Sequence, residues 1–156
     1  GCYPVSLAVL IARLFQDKNK EASYDIVDVY SKKNFRGTDD EGLIKIKFHN
    51  LFEAKLEVSI KKDLTKPTII QGSKGKIIIS SPWLPNKNST IELVSSKNNF
   101  KKSIQSKYTV YANTIKAASD QIQKKNYHCE FPKMTWEDSI TCSKILTDWK
   151  DYFYKV

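Results

Sequence analysis

The chain has few of the residues that build disulfide frameworks and metal sites. Its three cysteines, Cys2, Cys129 and Cys142, are odd in number, widely spaced and without a CxxC pair, so they predict neither a disulfide framework nor a zinc site. His49 and His128 are the only histidines, and neither has a second ligand at metal spacing. We therefore expect no bound metal, and this cysteine usage favours a reducing cytoplasm.

Arginine is also scarce, which bears on the partners of a basic chain. The formal net charge is +9, but only Arg13 and Arg36 are arginines. Proteins that read nucleic acid use the planar Arg fork, whereas Lys is a point charge suited to general solubility. The lysines are dispersed rather than packed into one block. We therefore predict a solvated surface and no nucleic-acid partner, although salt-dependent association with DNA or RNA would reverse that prediction.

The opening segment, GCYPVSLAVLIARLF, predicts a buried helix and no membrane partner. Its apolar stretch, residues 5–15, carries Arg13 and is too short to cross a hydrocarbon core of about 30 Å. It also lacks the basic segment and small-residue cleavage site of a secretory signal, so we expect neither a leader nor an anchor. Pro4 suits the first turn of a helix that continues to about Phe15.

Alternating residues then predict antiparallel strands. SYDIVDVYS, residues 23–31, is rich in β-branched and aromatic residues. LIKIKFH and AKLEVSIK alternate apolar and polar residues in two consecutive segments, which predicts a hairpin with one buried and one wetter face. TIIQ and KIII flank Gly72 and Gly75 and predict a second hairpin whose glycines supply positive φ. STIELVSS predicts one further strand.

The period changes in the last third of the chain. Apolar residues recur every three or four positions over residues 107–125, which predicts a helix. Thr135 precedes a last helix as its cap, with Asp138 three residues on in a variant capping box. The order of helix, strands and two helices predicts one α+β domain over residues 1–156, with an open, mostly antiparallel sheet and helices on one face.

The chain contains no complete catalytic motif. Four features could each have either a functional role or a purely structural one. Asp39-Asp40-Glu41 favours a turn over a magnesium site. GSKG favours hairpin geometry over a phosphate cradle. Trp83, between two prolines, either lines a ligand pocket or covers the edge of the core. Tyr3 either transfers a proton or covers a core with a polar tip.

Five segments occur in an order that resembles a known family. They are GCYPVSLAVLI, GTDDEGLIKIKFHNLFEAKLEVSI, IIQGSKGKIIISSPWLP, YTVYANTIKAASDQIQKKN and FPKMTWEDSITCSKILTDWK. Together they resemble the C-terminal domain of the glucose–fructose oxidoreductase, inositol dehydrogenase and rhizopine-catabolism (Gfo/Idh/MocA) family. The Cys-Tyr-Pro segment is similar to its dihydrodiol and xylose dehydrogenase-like branch. The fold implied is that of the glyceraldehyde-3-phosphate dehydrogenase-like C-terminal domain.

The resemblance implies an oxidoreductase that uses NAD or NADP and transfers hydride to or from a sugar, polyol or diol. In the family an N-terminal Rossmann domain holds the dinucleotide, and its Gly-rich loop and Glu-Lys-Pro lysine do not occur in this chain. We therefore expect the chain to be a C-terminal fragment that by itself binds no dinucleotide and is inactive. An alternative from another class is a free-standing α+β module that binds a protein partner or an anionic ligand.

The resemblance also implies roles for particular residues. Tyr3 falls on the position whose Tyr or His assists proton transfer at the substrate hydroxyl. Residues around Trp83 are candidates for the wall of the substrate pocket. Family members commonly dimerise through the open face of the sheet, which implies a homo-oligomer. In this chain we expect that face to carry alternating polar residues: Lys45, Lys47, Lys55, Glu57 and Ser59.

Overall fold

The computed structural model describes residues 1–15, 22–49, 51–83, 85, 88–129 and 131–155, and these residues form three helices and seven strands. In chain order they are α1 (Cys2–Arg13), β1 (Tyr24–Lys33), β2 (Asp39–Phe48), β3 (Phe52–Ser59), β4 (Thr68–Gly72), β5 (Gly75–Ile79), β6 (Asn88–Ser95), β7 (Asn99–Gln105), α2 (Val110–Gln123) and α3 (Trp136–Lys155). The predicted α+β class with antiparallel strands is confirmed. The strands form two sheets, β1-β2-β3 and β4-β5-β6-β7.

The chain divides into two compact units, which we describe separately. The first unit contains Gly1–Leu64 and His128–Val156, and the second contains Thr65–Tyr127. Two compact units can belong to one domain, so a single domain over residues 1–156 stays a prediction.

The first unit packs α1 and α3 on the apolar face of the three-stranded sheet. The predicted β2–β3 hairpin is confirmed: Ile44 lies opposite Leu56, and Ile46 lies opposite Ala54. Because side chains alternate across a strand, these residues share one face, and Ile44 and Ile46 are fully buried. α1 contacts β3, and α3 contacts β1 and α1. The helices contribute these core residues: Val5, Ala8, Val9, Ala12, Cys142, Ile145, Trp149 and Phe153.

The second unit is a four-stranded sheet followed by α2. The hairpin predicted around Gly72 and Gly75 is confirmed, but positive φ occurs at Gly75 alone of these two. One row of the sheet is apolar on all four strands: Ile70, Ile77, Leu93 and Phe100 lie opposite one another in register. No described residue of this unit is fully buried. The apolar row is therefore only partly covered.

Strand β7 was absent from the sequence prediction. Its sequence, NFKKSIQ, brings Phe100, Lys102 and Ile104 onto one face, so a lysine interrupts the apolar alternation. Pairing with β6 nevertheless completes the sheet. Among the described helices, none combines the length and apolar character that a membrane crossing requires.

Candidate functional site

Tyr3 lies in the first turn of α1, on the side of the helix that faces away from the core. Val5, Ala8, Val9 and Ala12 form the buried stripe, and a rotation of about 100° per residue places Tyr3 on the opposite side. Its side chain is 63% exposed. The Ser6 hydroxyl donates a 2.8 Å hydrogen bond to the Tyr3 carbonyl, which is local to the helix start. The phenol is thus accessible from outside the first unit.

Both ends of α1 are attached to α3. At the N-terminal end, a Cβ placed on Gly1 would lie 3.3 Å from both Leu146 and Trp149. At the C-terminal end, Arg13 Nε lies 2.9 Å from Asp138 Oδ1, and both side chains are buried. The helix that carries Tyr3 is therefore fixed along its length against a second helix.

Trp83 lies in the loop after β5, in the second unit, and is 36% exposed. A cavity of about 320 Å³ opens beside this loop. Pro82 and Pro85 line it, but Trp83 is not among the lining residues. The loop therefore lines this cavity through the two prolines that flank Trp83.

The described wall of this cavity combines an apolar floor with hydroxyl and amide groups. Ile79, Ile91 and Ile104 supply apolar surface. Asn113 Nδ2 donates a 2.9 Å hydrogen bond to Ser106 Oγ, which fixes the amide at the start of α2. Sequence reasoning did not identify these polar residues, because β7 and the start of α2 meet only in the folded unit. Such a wall suits a small molecule with both apolar and hydroxyl surface.

The acidic cluster Asp39-Asp40-Glu41 starts strand β2, so the predicted turn is wrong. Backbone pairing of β2 with β1 and β3 extends the strand through these residues. Asn34 Nδ2 donates a 3.0 Å hydrogen bond to Asp40, and Lys61 lies 3.7 Å from the same carboxylate. A hydrogen bond from Lys62 lowers the pKa of Glu41. Within the described residues, no group of three or more metal-type ligands comes together.

The three cysteines differ in exposure. All are free; Cys2 and Cys129 are exposed, and Cys142 is buried. Burial raises the pKa of the Cys142 thiol to about 11. Because the thiolate is the reactive species, Cys142 is an inert packing residue in the folded chain.

The polar face assigned to assembly is the outer face of the three-stranded sheet. Lys45, Lys47 and Lys55 are exposed there. Lys55 Nζ lies 3.3 Å from Glu57 Oε1, and Lys45 stands opposite Lys55 in the register. This surface carries charges of both signs, with two like charges directly opposed.

Comparisons with known proteins show the fold. No family profile and no curated protein matches the chain. A mutant of KijD10, a 3-ketoreductase from Actinomadura kijaniata solved with TDP-benzene and NADP, is 15% identical with a TM-score of 0.75, over 97% of this chain and 45% of that one. KijD10 itself, solved with the same ligands, is 15% identical with a TM-score of 0.73, over 96% of this chain and 43% of that one.

A more distant likeness is to YvaA of Bacillus subtilis, described provisionally as an oxidoreductase. It is 12% identical with a TM-score of 0.55, over 96% of this chain and 48% of that one. The chain thus spans less than half the length of each of these solved structures. It has the α+β fold of one part of these proteins.

Proposed function

We propose that the chain is the C-terminal, substrate-binding part of an NAD(P)-dependent oxidoreductase of the Gfo/Idh/MocA type, acting in the cytoplasm on a sugar, polyol or diol. The observation that carries this proposal is the likeness to KijD10, a 3-ketoreductase solved with NADP, over 97% of the chain. Independently of that likeness, the five ordered segments of the sequence resemble the Gfo/Idh/MocA family.

The chain's own contribution to the reaction is proton transfer at Tyr3. When bound in the intact protein, NAD(P) would supply hydride transfer at the substrate carbon, and the oxygen on that carbon would then have to lose or gain a proton. A phenol is an acid–base group suited to that proton, and Tyr3 is exposed on the side of α1 that faces outward. The sequence has no Gly-rich dinucleotide loop, so we assign no cofactor contact to these residues.

The loop that carries Trp83 would form part of the substrate wall. Pro82 and Pro85 restrict the backbone on either side of it, which limits the entropy lost on ligand binding. The cavity beside the loop mixes apolar and hydroxyl groups, a pattern compatible with a carbohydrate or diol. Trp83 itself remains a candidate substrate contact on the strength of the family resemblance.

Assembly as a dimer would use the apolar row of the second sheet in preference to the charged face of the first. Leu93 is 41% exposed and Phe100 is 57% exposed in this row. Both belong to a continuous line across four strands, and such a line is the kind of surface that a homodimer covers. The charged outer face of the first sheet is less apolar than the core of such an interface.

Two measurements test the proposed activity. In the intact oxidoreductase, Tyr3→Phe should lower kcat by about 10²- to 10⁴-fold, the range for losing a general acid or base. Tyr111→Phe on the exposed side of α2 is the matched control and should leave kcat unchanged. If both variants retain full activity, Tyr3 is not the proton donor.

The fragment hypothesis is tested on the chain alone. Calorimetry with NADPH should give no heat of binding, because the dinucleotide loop is expected in another domain. Stoichiometric binding by these 156 residues would contradict the hypothesis. An intact mass of the native product equal to this chain would favour the free-standing binding module instead.

A further inference from the structure

We infer that Trp149 is a positioning residue for Tyr3: its indole ring lies between Gly1 and Gly42 and sets where the first turn of α1 stands. This inference deepens the proposed function and rests on it for the chemical role of Tyr3. The contact itself is independent of that role and can be tested separately.

Two glycines make room for the ring. A Cβ on Gly1 would lie 3.3 Å from Trp149 Cζ3, and one on Gly42 would lie 3.1 Å from Trp149 Cζ2. Contacts of 3.0–3.4 Å are tighter than nine in ten real Cβ contacts. Both backbones therefore approach the same six-membered ring, one from α1 and one from β2. Trp149 is nearly buried, at 8% exposed, so the ring has little freedom to move.

The first turn of α1 has weak attachments of its own. Gly1 is the N-cap and makes no side-chain capping bond, and the first turn has no acidic residue. Pro4 supplies no backbone N–H, and the first backbone bond, from Val5 N to Gly1 O, is long at 3.4 Å. Because this first bond is long, packing of Gly1 on α3 adds constraint that the helix end does not supply for itself.

A displaced first turn would affect Tyr3 directly. Tyr3 is two residues from Gly1 in the same helical turn, so a shift of the backbone at Gly1 would carry over to the phenol. Misplacement of a reacting group by about 1 Å costs about 10²-fold in rate. The effect would fall on kcat, because substrate binding does not require the phenol to be aligned for proton transfer.

The position of Tyr3 can be measured on the chain itself by NMR. The ring resonances of Tyr3 are assigned with Tyr3→Phe and followed in Trp149→Phe and Gly42→Ala. Both variants should shift the Tyr3 resonances. Trp149→Phe removes the indole ring that supports Gly1, and Gly42→Ala pushes that indole ring towards Gly1. The matched control is Ile145→Val, a conservative core change on the same helix at a side chain that is not among the atoms nearest to either glycine, and it should leave the Tyr3 resonances in place. Trp149→Phe with Gly42→Ala should give smaller shifts than the sum of the two, because a phenyl ring leaves room for the methyl group.

Unshifted Tyr3 resonances in folded Trp149→Phe and Gly42→Ala, or equal shifts in Ile145→Val, would overturn the inference. If Trp149→Phe does not fold, Gly42→Ala decides the same question. In the intact oxidoreductase, Gly42→Ala should lower kcat by about 10- to 100-fold with KM within about twofold. Normal kcat despite shifted resonances would overturn the positioning role. Failure of the proposed function is seen separately, as an unchanged kcat in Tyr3→Phe.

Discussion

Arg13 and Asp138 form a buried ion pair that joins the end of α1 to the start of α3. Arg13 Nε lies 2.9 Å from Asp138 Oδ1, with the side chains 2% and 5% exposed. Among the described residues, Asp138 Oδ1 accepts no well-aligned hydrogen bond, so its contact with Arg13 is ionic in character. Asp138 Oδ2 accepts a 2.9 Å hydrogen bond from the Thr135 backbone N–H. One carboxylate therefore caps α3 and neutralises the cation of α1.

Removing the cation should destabilise the first unit strongly. Arg13→Met leaves a buried carboxylate unpaired, and breaking a buried pair in this way costs about 3–5 kcal/mol. Arg36→Met, at the only other arginine, is the control; Arg36 is exposed and should change the free energy of unfolding by less than about 0.5 kcal/mol. Urea unfolding followed by circular dichroism measures both. Equal stability of the two variants would show that the pair contributes nothing.

Thr135 caps α3, and its loss should have a smaller effect. The Thr135 hydroxyl accepts a 3.2 Å hydrogen bond from Asp138 N. Thr135→Ala removes that acceptor and should lower the free energy of unfolding by about 1 kcal/mol. Thr147→Ala makes the same chemical change on the outer side of α3 and should be near neutral. A Thr135→Ala variant as stable as Thr147→Ala would mean that the cap is redundant.

The predictability of these features from sequence depended on how local they are. The capping box of Thr135 and Asp138 is encoded within four residues and was predicted correctly. The burial of Arg13 was not predicted, because its partner Asp138 is distant in the chain. The apolar residues around Arg13 do not indicate such a partner. Strand β7 was missed because Lys102 interrupts its apolar face.

The candidate site divides in the same way. The helix that carries Tyr3 was predicted from Pro4 and the apolar run that follows it, because both are local features of the sequence. The support of that helix by Trp149 and Gly42 was not, since three separate segments meet there only after folding. The division into two sheets also depends on strand pairing, which alternation within single strands does not specify.

Of the two glycines that flank the turn between β4 and β5, Gly72 and Gly75, only Gly75 must be glycine. A Cβ on Gly75 would lie 2.5 Å from the Val94 carbonyl oxygen, whereas one on Gly72 would meet nothing closer than 3.6 Å. Gly75→Ala must displace β6 and should destabilise the second unit by about 1–3 kcal/mol. Gly72→Ala should be tolerated. Amide hydrogen exchange of β5 and β6 would report the difference, and equal protection in the two variants would contradict it.

Thiol reactivity should follow burial and pKa. Because the pKa of Cys142 is raised to about 11, its thiolate fraction at pH 8 is about one thousandth. In the folded chain at pH 8, iodoacetamide should therefore label the exposed Cys2 and Cys129 and leave Cys142 unmodified. In urea all three should react, and mass spectrometry of the peptides distinguishes them. Rapid labelling of Cys142 without denaturant would mean that α3 opens readily.

The two sheets offer faces of opposite character for self-association. The row that contains Leu93 and Phe100 is apolar across four strands, so a second copy placed on it would remove apolar surface from water. Phe100→Glu puts a carboxylate into that row and should convert a dimer to a monomer in sedimentation equilibrium.

Lys45→Glu is the matched control on the other sheet. Lys45 faces Lys55 across the register, so this reversal introduces an attraction within the chain and should leave the dimer intact. Dissociation by Lys45→Glu alone would place the interface on the charged face of the first sheet. Two copies of a +9 chain repel each other, so a dimer forms only if the contacts across its interface outweigh that repulsion. A wild-type chain that stays monomeric at every concentration would therefore contradict an interface on either face.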